Sequence, residues 1–177
     1  ALDSLCGGQL KVSLEVIEPV PHILIAGGGH VGKSVSIVCD TLGWQHSVFD
    51  VRSEFSNQQR FPTATETVSC SVADFLKKEK SSSLSRFSDV LVLGHDWSVD
   101  QELLIGLLRD SPDSLRIGVI GSKSKWKGFV KAAEESGIGK DGLSNARCPI
   151  GLEIGADSPE EIAVAICAEI LSMERGA

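Results

Sequence analysis

The stretch GGGHVGKS, which begins at Gly27, has the residue types and spacing of a nucleotide-binding turn. As G-x-G-x-x-G it uses Gly27, Gly29 and Gly32 and predicts a Rossmann-type dinucleotide turn. As G-x-x-x-x-G-K-S it adds Lys33 and Ser34 and predicts a P-loop, whose lysine reaches phosphates and whose hydroxyl holds Mg²⁺. The two interpretations imply different chemistry, so the neighbouring segments must decide between them.

An acidic residue downstream favours the dinucleotide interpretation. Asp50 lies 18 positions after Gly32, at the end of a second apolar run, where its carboxylate could accept hydrogen bonds from ribose hydroxyls. Arg52 is close by, and an arginine there can accommodate the 2′-phosphate of NADP. The P-loop interpretation keeps some support from Asp96, placed like a Mg²⁺-holding carboxylate. We favour the Rossmann-type turn because strand, helix and second strand ending in Asp50 are the context that this fingerprint requires.

Further polar residues follow later strands, in loops that a doubly wound sheet brings near the glycine turn. His95 could orient or protonate a ligand, or it could be an exposed loop histidine beside a helix-capping Asp96. Ser122 and Lys123 could present a hydroxyl and a helix N-terminus to an anion. Carboxylates in the first turns of predicted helices need no catalytic role, since the helix dipole explains them: Asp100, Glu102, Glu160 and Glu161. Other lysines are expected on a solvated helix face: Lys125, Lys127 and Lys131.

The cysteines are five in number, widely scattered and without C-x-x-C spacing: Cys6, Cys39, Cys70, Cys148 and Cys167. Neither a disulfide framework nor a zinc knuckle is indicated, and a reducing cytoplasm fits best. Cys39 and Cys167 fall on apolar helix faces and are expected in the core. Cys6, before Gly7 and Gly8, and Cys148, before Pro149, are expected in loops, where a thiolate could ligate a soft metal centre or be merely exposed. Cys6 is the better candidate ligand of the two.

Apolar periodicity predicts strands that alternate with helices, which is typical of an α/β protein with a three-layer Rossmann-like fold and a mostly parallel, doubly wound sheet. Strands are expected over 22–26, 46–49, 67–70, 89–93 and 115–120, with a separate half-buried strand over 10–17. Helices are expected from Val31 to Gly43 and over 72–79. A third helix begins at a capping box of Ser98 with Gln101, and a fourth, after the strand over 115–120, ends at about Ser136. The last helix follows an N-cap at Ser158 with Pro159. Residues 80–85 are expected to form a polar loop.

The composition limits the classes of function. The chain has 177 residues, of which 42% are hydrophobic and 23% charged, and a formal net charge of -7. One folded core is the default for this length. An acidic chain is poorly suited to binding nucleic-acid phosphates, and no apolar run approaches the roughly 20 residues of a membrane span. We expect a soluble protein without a secretion signal and without nucleic-acid or membrane partners.

Five segments together resemble one family, the XdhC/CoxI group of accessory factors for xanthine dehydrogenase and related molybdenum hydroxylases. They are PHILIAGGGHVGKS, VFDVRSEFSNQQRFPTA, VLGHDWSVD, GVIGSKSKWK and, most specific, CPIGLEIGADSPEEIAVAICAEI. The resemblance covers essentially residues 20–172. It implies that residues 20–177 are the family's C-terminal Rossmann-type domain and that residues 1–19 are the tail of its N-terminal region. The sequence departs from the family pattern at Val51, where a second acid is expected.

The resemblance implies a chaperone that binds molybdenum cofactor, as molybdopterin or its dinucleotide form, protects it during sulfuration and delivers it to an apo-hydroxylase. It implies no catalytic turnover. A sulfur-donating cysteine desulfurase is a further expected partner, and we expect a cytoplasmic homodimer. The cofactor-contacting candidates carried over are Gly27, Gly29, His30, Gly32, Asp50, Arg52, His95, Asp96, Ser122, Lys123, Gly151, Glu153 and Gly155. An NAD(P)-dependent oxidoreductase is the alternative function, and a P-loop NTPase is the third.

Overall fold

Strands and helices alternate along the chain in the computed structural model, which describes residues 11–15 and 20–176. The strands are β1 (His22–Ala26), β2 (Gln45–Phe49), β3 (Glu66–Val68), β4 (Asp89–Val92), β5 (Arg116–Val119) and β6 (Ala146–Arg147). The helices are α1 (His30–Leu42), α2 (Val72–Lys78), α3 (Ser81–Leu84), α4 (Trp97–Asp110), α5 (Lys123–Glu135) and α6 (Pro159–Arg175). Short 3-10 turns cover Ser53–Phe55 and Lys140–Leu143.

The strands form one parallel sheet in the order β3-β2-β1-β4-β5-β6. The order reverses at β1, where Ala26 pairs with Phe49 of β2 on one side and Val92 of β4 on the other. Connections diverge at such a switch point and leave a crevice at the carboxyl ends of the strands. The predicted doubly wound, Rossmann-like fold is confirmed.

Both faces of the sheet are covered by helices, which makes the three layers. On one face, Phe75 of α2 and Phe129 of α5 are buried in a cluster with sheet residues. On the other face, α1 and α6 pack against each other and bury Val35 and Ile166. The two helix cysteines predicted to be core, Cys39 and Cys167, lie in this second cluster. The apolar runs are strands because each is buried between two helical layers.

Local signals explain where most helices begin and end. Gly43 closes α1 in the left-handed conformation, with φ 70°. The capping box of Ser158 with Glu161 is present at α6, with Pro159 as its first residue. The capping box predicted from Ser98 is wrong, because Asp96 caps α4 by accepting hydrogen bonds from the backbone N–H groups of Ser98 and Val99. A carboxylate one position before the helix is a strong competitor for these amides.

The structure differs from the sequence-based expectation in three other places. The polar loop expected over 80–85 contains α3, which buries Leu84 completely. Residues 11–15, in the half-buried strand expected over 10–17, have no regular structure and are not part of the six-stranded sheet, and Val12 and Leu14 are exposed; residues 10, 16 and 17 lie outside the described ranges. Strand β6 was not expected, because two residues are too short for a periodic signal.

None of the helices within 11–15 and 20–176 combines the length and the apolar character that crossing a bilayer would require.

The burial of His46 predicts how the stability of the fold depends on pH. His46 is 1% exposed, and its Nε2 has no hydrogen-bond partner among the described residues. Burial lowers the pKa of His46 below the ordinary 6.5, although Asp40 lies 3.5 Å from Nδ1 and opposes this. The unfolded chain therefore takes up a proton at a pH where the folded chain does not. Stability should fall as pH drops below about 6.5 and fall less in His46→Gln. Urea unfolding between about pH 5 and pH 8 measures this, and equal pH slopes for both proteins would contradict it.

Candidate functional site

Three glycines shape the turn that leads from β1 into α1. Gly27 has φ 121°, and a Cβ on it would lie 2.6 Å from the carbonyl carbon of Leu93, just after β4. A Cβ on Gly32 would lie 2.1 Å from the backbone oxygen of Gly27, so this glycine lets α1 pack closely on the turn. A Cβ on Gly29 would meet nothing within 4 Å. Gly27 and Gly32 are therefore needed for the packing of the turn, whereas Gly29 leaves one side of the turn open.

The open side coincides with the N-terminus of α1. Gly29 is the N-cap, no side chain caps it, and the first turn contains no acidic residue. By contrast α2, α4, α5 and α6 are capped by the side chains of Ser71, Asp96, Ser122 and Ser158. Exposed amides at a helix N-terminus and the helix dipole both attract an anion. The arrangement suits a phosphate group beside Gly29.

The residues of the P-loop interpretation are engaged elsewhere. Lys33 Nζ donates a hydrogen bond to the backbone oxygen of Arg60 at 2.6 Å. Ser34 Oγ donates to the backbone oxygen of His30 at 3.1 Å and is 3.5 Å from Glu160 Oε1 of α6. Since α1 already begins at His30, the turn is only three glycines long. This geometry favours the Rossmann-type interpretation over the P-loop.

The carboxylate of Asp50 receives four hydrogen bonds from the protein. Oδ2 accepts from the Gly28 backbone N–H at 2.9 Å and from Arg52 Nη2 at 3.0 Å. Oδ1 accepts from the backbone N–H and Nε of Arg52, both at 3.0 Å. Burial acts to raise the pKa of Asp50, but the bonds from Arg52 and Gly28 outweigh it and the net pKa is lowered. Two carboxylate oxygens offer about four acceptor positions, so Asp50 has none left for a ribose in this conformation.

Arg52 begins a stretch that folds over the glycine turn, which we call the arginine segment, residues 52–60. The Arg52 guanidinium lies 3.9 Å from the centre of the Phe55 ring. At the other end, Arg60 donates from Nε to the Gly28 oxygen at 2.8 Å and from Nη2 to the Gly29 oxygen at 3.2 Å. A Cβ on Gly28 would lie 1.8 Å from the Phe55 backbone oxygen. Sequence reasoning missed Gly28 and Arg60; the extra glycine in GGG was the available signal for Gly28, and Arg60 gave none.

A cleft at the switch point brings five of the predicted site residues together: Gly27, Asp50, Arg52, His95 and Asp96. Its other lining includes Ala26, Phe49, Val51, Gly94 and Asp100. The enclosed volume is about 30 Å³, which is room for water and far less than a cofactor needs. In this conformation Arg52 and Asp50 fill the β2 side of the crevice.

The remaining predicted residues lie outside the lining of this cleft. Gly29, His30 and Gly32 begin α1 beside it. Ser122 caps α5 by accepting a hydrogen bond from the Lys125 backbone N–H, and Lys123 is exposed at the start of that helix. The loop between β6 and α6 contains Gly151 and Gly155, both with positive φ, and exposed Glu153. Ser122 and Lys123 follow β5, and the loop residues follow β6, so both groups lie at the carboxyl ends of the strands, as the cleft does.

Two charged residues behave differently from expectation. Asp100, ascribed to the helix dipole, is 2% exposed and borders the cleft. Its Oδ2 accepts a hydrogen bond at 2.7 Å from Nζ of Lys125, whose side chain is 18% exposed rather than solvated. Burial raises the pKa of Asp100, although Lys125 acts to lower it. Sequence reasoning missed this pair because the partners are far apart in sequence and on different helices.

The predicted metal ligand Cys6 lies outside the described residues. Cys148, which follows β6, is half-buried, with Sγ 3.7 Å from the Gly121 backbone oxygen. Within the described part of the chain, no three His, Cys, Asp or Glu side chains cluster as a metal site would need.

A Rossmann-type domain with an open glycine turn is the class of protein that these features define. A family model, the XdhC Rossmann domain, matches residues 23–170. The chain therefore belongs to the XdhC family, as the sequence motifs predicted.

Two curated relatives and two solved structures are similar to the chain. The protein YqeB of Escherichia coli is 28% identical over the whole chain and 32% of its own length. A probable xanthine dehydrogenase subunit of Bacillus subtilis is 26% identical over 92% of the chain and 46% of its own length. A structure named xanthine dehydrogenase, from Bacillus halodurans, has a TM-score of 0.73 and 28% identity over 89% of this chain and 44% of that one. The NAD(P)-binding domain of an exopolyphosphatase-related protein from Archaeoglobus fulgidus, 16% identical with TM-score 0.53 over 90% of this chain and 100% of that one, shares the fold. The chain spans less than half the length of the curated relatives it matches.

Gly32 and Gly29 should differ in how well they tolerate substitution by alanine. Gly32→Ala should destabilise the protein by about 2 kcal/mol or more, because its Cβ meets the Gly27 backbone oxygen. Gly29→Ala should change the free energy of unfolding by less than about 1 kcal/mol, because its Cβ meets open space and φ is -64°. Thermal or urea unfolding of the two variants measures this difference. Equal losses of stability would mean that the turn is not built as described.

Proposed function

We propose that this chain is a maturation factor that binds molybdenum cofactor and delivers it to a xanthine dehydrogenase-type molybdenum hydroxylase, without catalytic turnover of its own. Membership of the XdhC family supports a role associated with xanthine dehydrogenase. The names of the Bacillus subtilis relative and the Bacillus halodurans structure support the same association. The chain corresponds to part of those proteins, so the proposal concerns the step that the Rossmann-type domain performs.

The observation that carries the proposal is the open, uncapped N-terminus of α1 at Gly29. Molybdenum cofactor is a pterin that carries a phosphate, or a dinucleotide extension of it, and either form supplies the anion. Gly29 has no Cβ to obstruct that anion, and Gly27 and Gly32 hold the turn in place. Arg60, which donates to the Gly29 oxygen, adds a positive charge beside the same position. The residues present therefore suit a phosphate-bearing cofactor.

The contacts of Asp50 favour one form of the cofactor over the other. A phosphate at Gly29 leaves the Asp50–Arg52 pair intact, whereas a nucleotide ribose at Asp50 needs Arg52 to move away. The monophosphate form, molybdopterin, is thus accommodated with less rearrangement than the dinucleotide form. Binding of the dinucleotide would break the two hydrogen bonds that the Arg52 side chain makes to Asp50.

An NAD(P)-dependent oxidoreductase is the second candidate, and one observation favours it. Asp50 stands at the end of β2, where nicotinamide enzymes place the acid that binds ribose hydroxyls. Against this candidate, the four donors that surround Asp50 come from the protein itself. NAD would have to displace Arg52 before Asp50 could accept from a ribose.

The proposed role brings further proposals with it. The partner that receives the cofactor is a molybdenum hydroxylase apo-enzyme, and the partner that supplies sulfur is a cysteine desulfurase. Such a factor would act in the cytoplasm, as a homodimer. Residues 1–19 remain predicted as the tail of an N-terminal region, and a metal contact from Cys6 remains part of the same prediction.

Anaerobic equilibrium binding of purified molybdenum cofactor tests the function, with bound molybdenum as the readout and NAD and Mg·ATP as competitors. We expect binding that neither competitor displaces. Gly29→Ala should weaken it by about tenfold or more, because the added methyl group occupies the phosphate position. Gly139→Ala is the matched control, since Gly139 is also an extended N-cap glycine whose Cβ would meet open space. Displacement of cofactor by NAD, or equal binding by wild type and Gly29→Ala, would contradict the proposal.

A further inference from the structure

An open groove runs between α2 and α4 on the surface of their helical layer. Apolar side chains line much of it: Ala73 and Leu76 from α2, and Trp97 and Ile105 from α4. Gly106 allows the two helices to approach, since a Cβ on it would lie 2.1 Å from Leu76 Cδ1. Trp97 is 44% exposed, and the groove encloses about 810 Å³. Exposed apolar surface rimmed by polar residues is typical of a site that binds another protein.

The outer face of α4 forms one wall of this groove. Glu102, Ile105 and Arg109 are three and four positions apart, so they lie along one side of the helix. The opposite side carries Leu103 and Leu107, which are buried in the core cluster beneath. Glu102 and Arg109 are exposed, and Ile105 is half-buried between them. The outer face therefore has a negative end, an apolar centre and a positive end.

Neither charged residue of this face has an ion-pair partner among the described residues. Arg109 donates from Nη2 to the backbone oxygen of Ser136 at 3.0 Å, which leaves other guanidinium donors available. Glu102 and Arg109 are seven positions apart, or roughly 10 Å along the helix axis, and Ile105 lies near the midpoint. When a second copy of the helix lies antiparallel to the first, the negative end of each meets the positive end of the other. The face is thus complementary in charge to itself.

We propose that α4 packs antiparallel against α4 of a second copy of this chain, with the two-fold axis beside Ile105. Each Glu102 then lies opposite Arg109 of the second copy, and symmetry makes this pair twice. The Ile105 side chains meet at the centre, and the apolar walls of the groove are covered. The inference rests on one part of the proposed function, the homodimer, and specifies the interface that would form it.

Sedimentation equilibrium of charge variants tests the pairing. Glu102→Arg places arginines opposite each other at both ends of the interface, and Arg109→Glu does the same with glutamates. Each change should raise the Kd of the dimer by about tenfold or more, because like charges are brought together twice. The double variant restores opposite charges in the reverse order, so its Kd should lie within about threefold of wild type. Arg175→Glu is the control, an exposed charge reversal on α6 in the other helical layer, and should leave the Kd unchanged.

Disulfide cross-linking tests the position of the two-fold axis. Ile105→Cys should form a covalent dimer with oxidised glutathione, because residues beside the axis reach the Cα separation of about 5–6 Å that a disulfide needs. Ser98→Cys is the matched control on the same face of α4. Its two symmetry copies would be roughly 22 Å apart along the helix axes, so it should not cross-link above wild type. Wild type gives the background from the native cysteines.

The outcomes separate this interface from the rest of the proposed function. Charge variants that dimerise like wild type, a double variant as weak as the single ones, or equal cross-linking at the two positions would overturn the interface. A wild-type chain that stays monomeric would overturn the homodimer with it. Binding of molybdenum cofactor is measured separately, and its loss or survival bears on the cofactor site at α1, which lies in the other helical layer. Unfolding curves accompany each variant and should match wild type, since the substituted charges are exposed.

Discussion

The hydrogen bonds of Asp50 hold together the region around the switch point. This one carboxylate joins the end of β2 to the glycine turn through the Gly28 N–H and fixes Arg52 at the start of the arginine segment. From there the segment packs on Gly28 and returns through Arg60 to the carbonyls of the turn. Asp50 thus anchors the start of the segment to the turn, and Arg60 anchors its end. The lowered pKa of Asp50 keeps it ionised in this role.

The site divides along the edge of the sheet into two chemically different halves. On the β2 side the charges are paired within the protein, since Arg52 forms an ion pair with Asp50. At the N-terminus of α1, by contrast, no side chain caps the backbone amides. An anion at the turn would meet the requirement of these amides. The phosphate of the proposed cofactor would be such an anion.

The sequence predicted the fold well and the site in part. Buried strands and the glycine turn were predictable because each leaves a local pattern: an apolar run, or glycines at fixed spacing. Helix α3 and strand β6 were missed because neither is long enough to have a period. Arg60 and the Asp100–Lys125 pair could not be predicted, since their roles depend on partners 25 or more positions away. Asp50 was identified from the sequence. That Arg52 and Gly28 use all of its acceptor positions could only be seen in the folded structure.

A crystal structure of the chain with molybdenum cofactor, with the metal located by its anomalous scattering, would test the central claim most directly. The account predicts the cofactor phosphate within hydrogen-bond distance of the N–H groups at the start of α1, beside Gly29. A phosphate bound away from the N-terminus of α1 would contradict it.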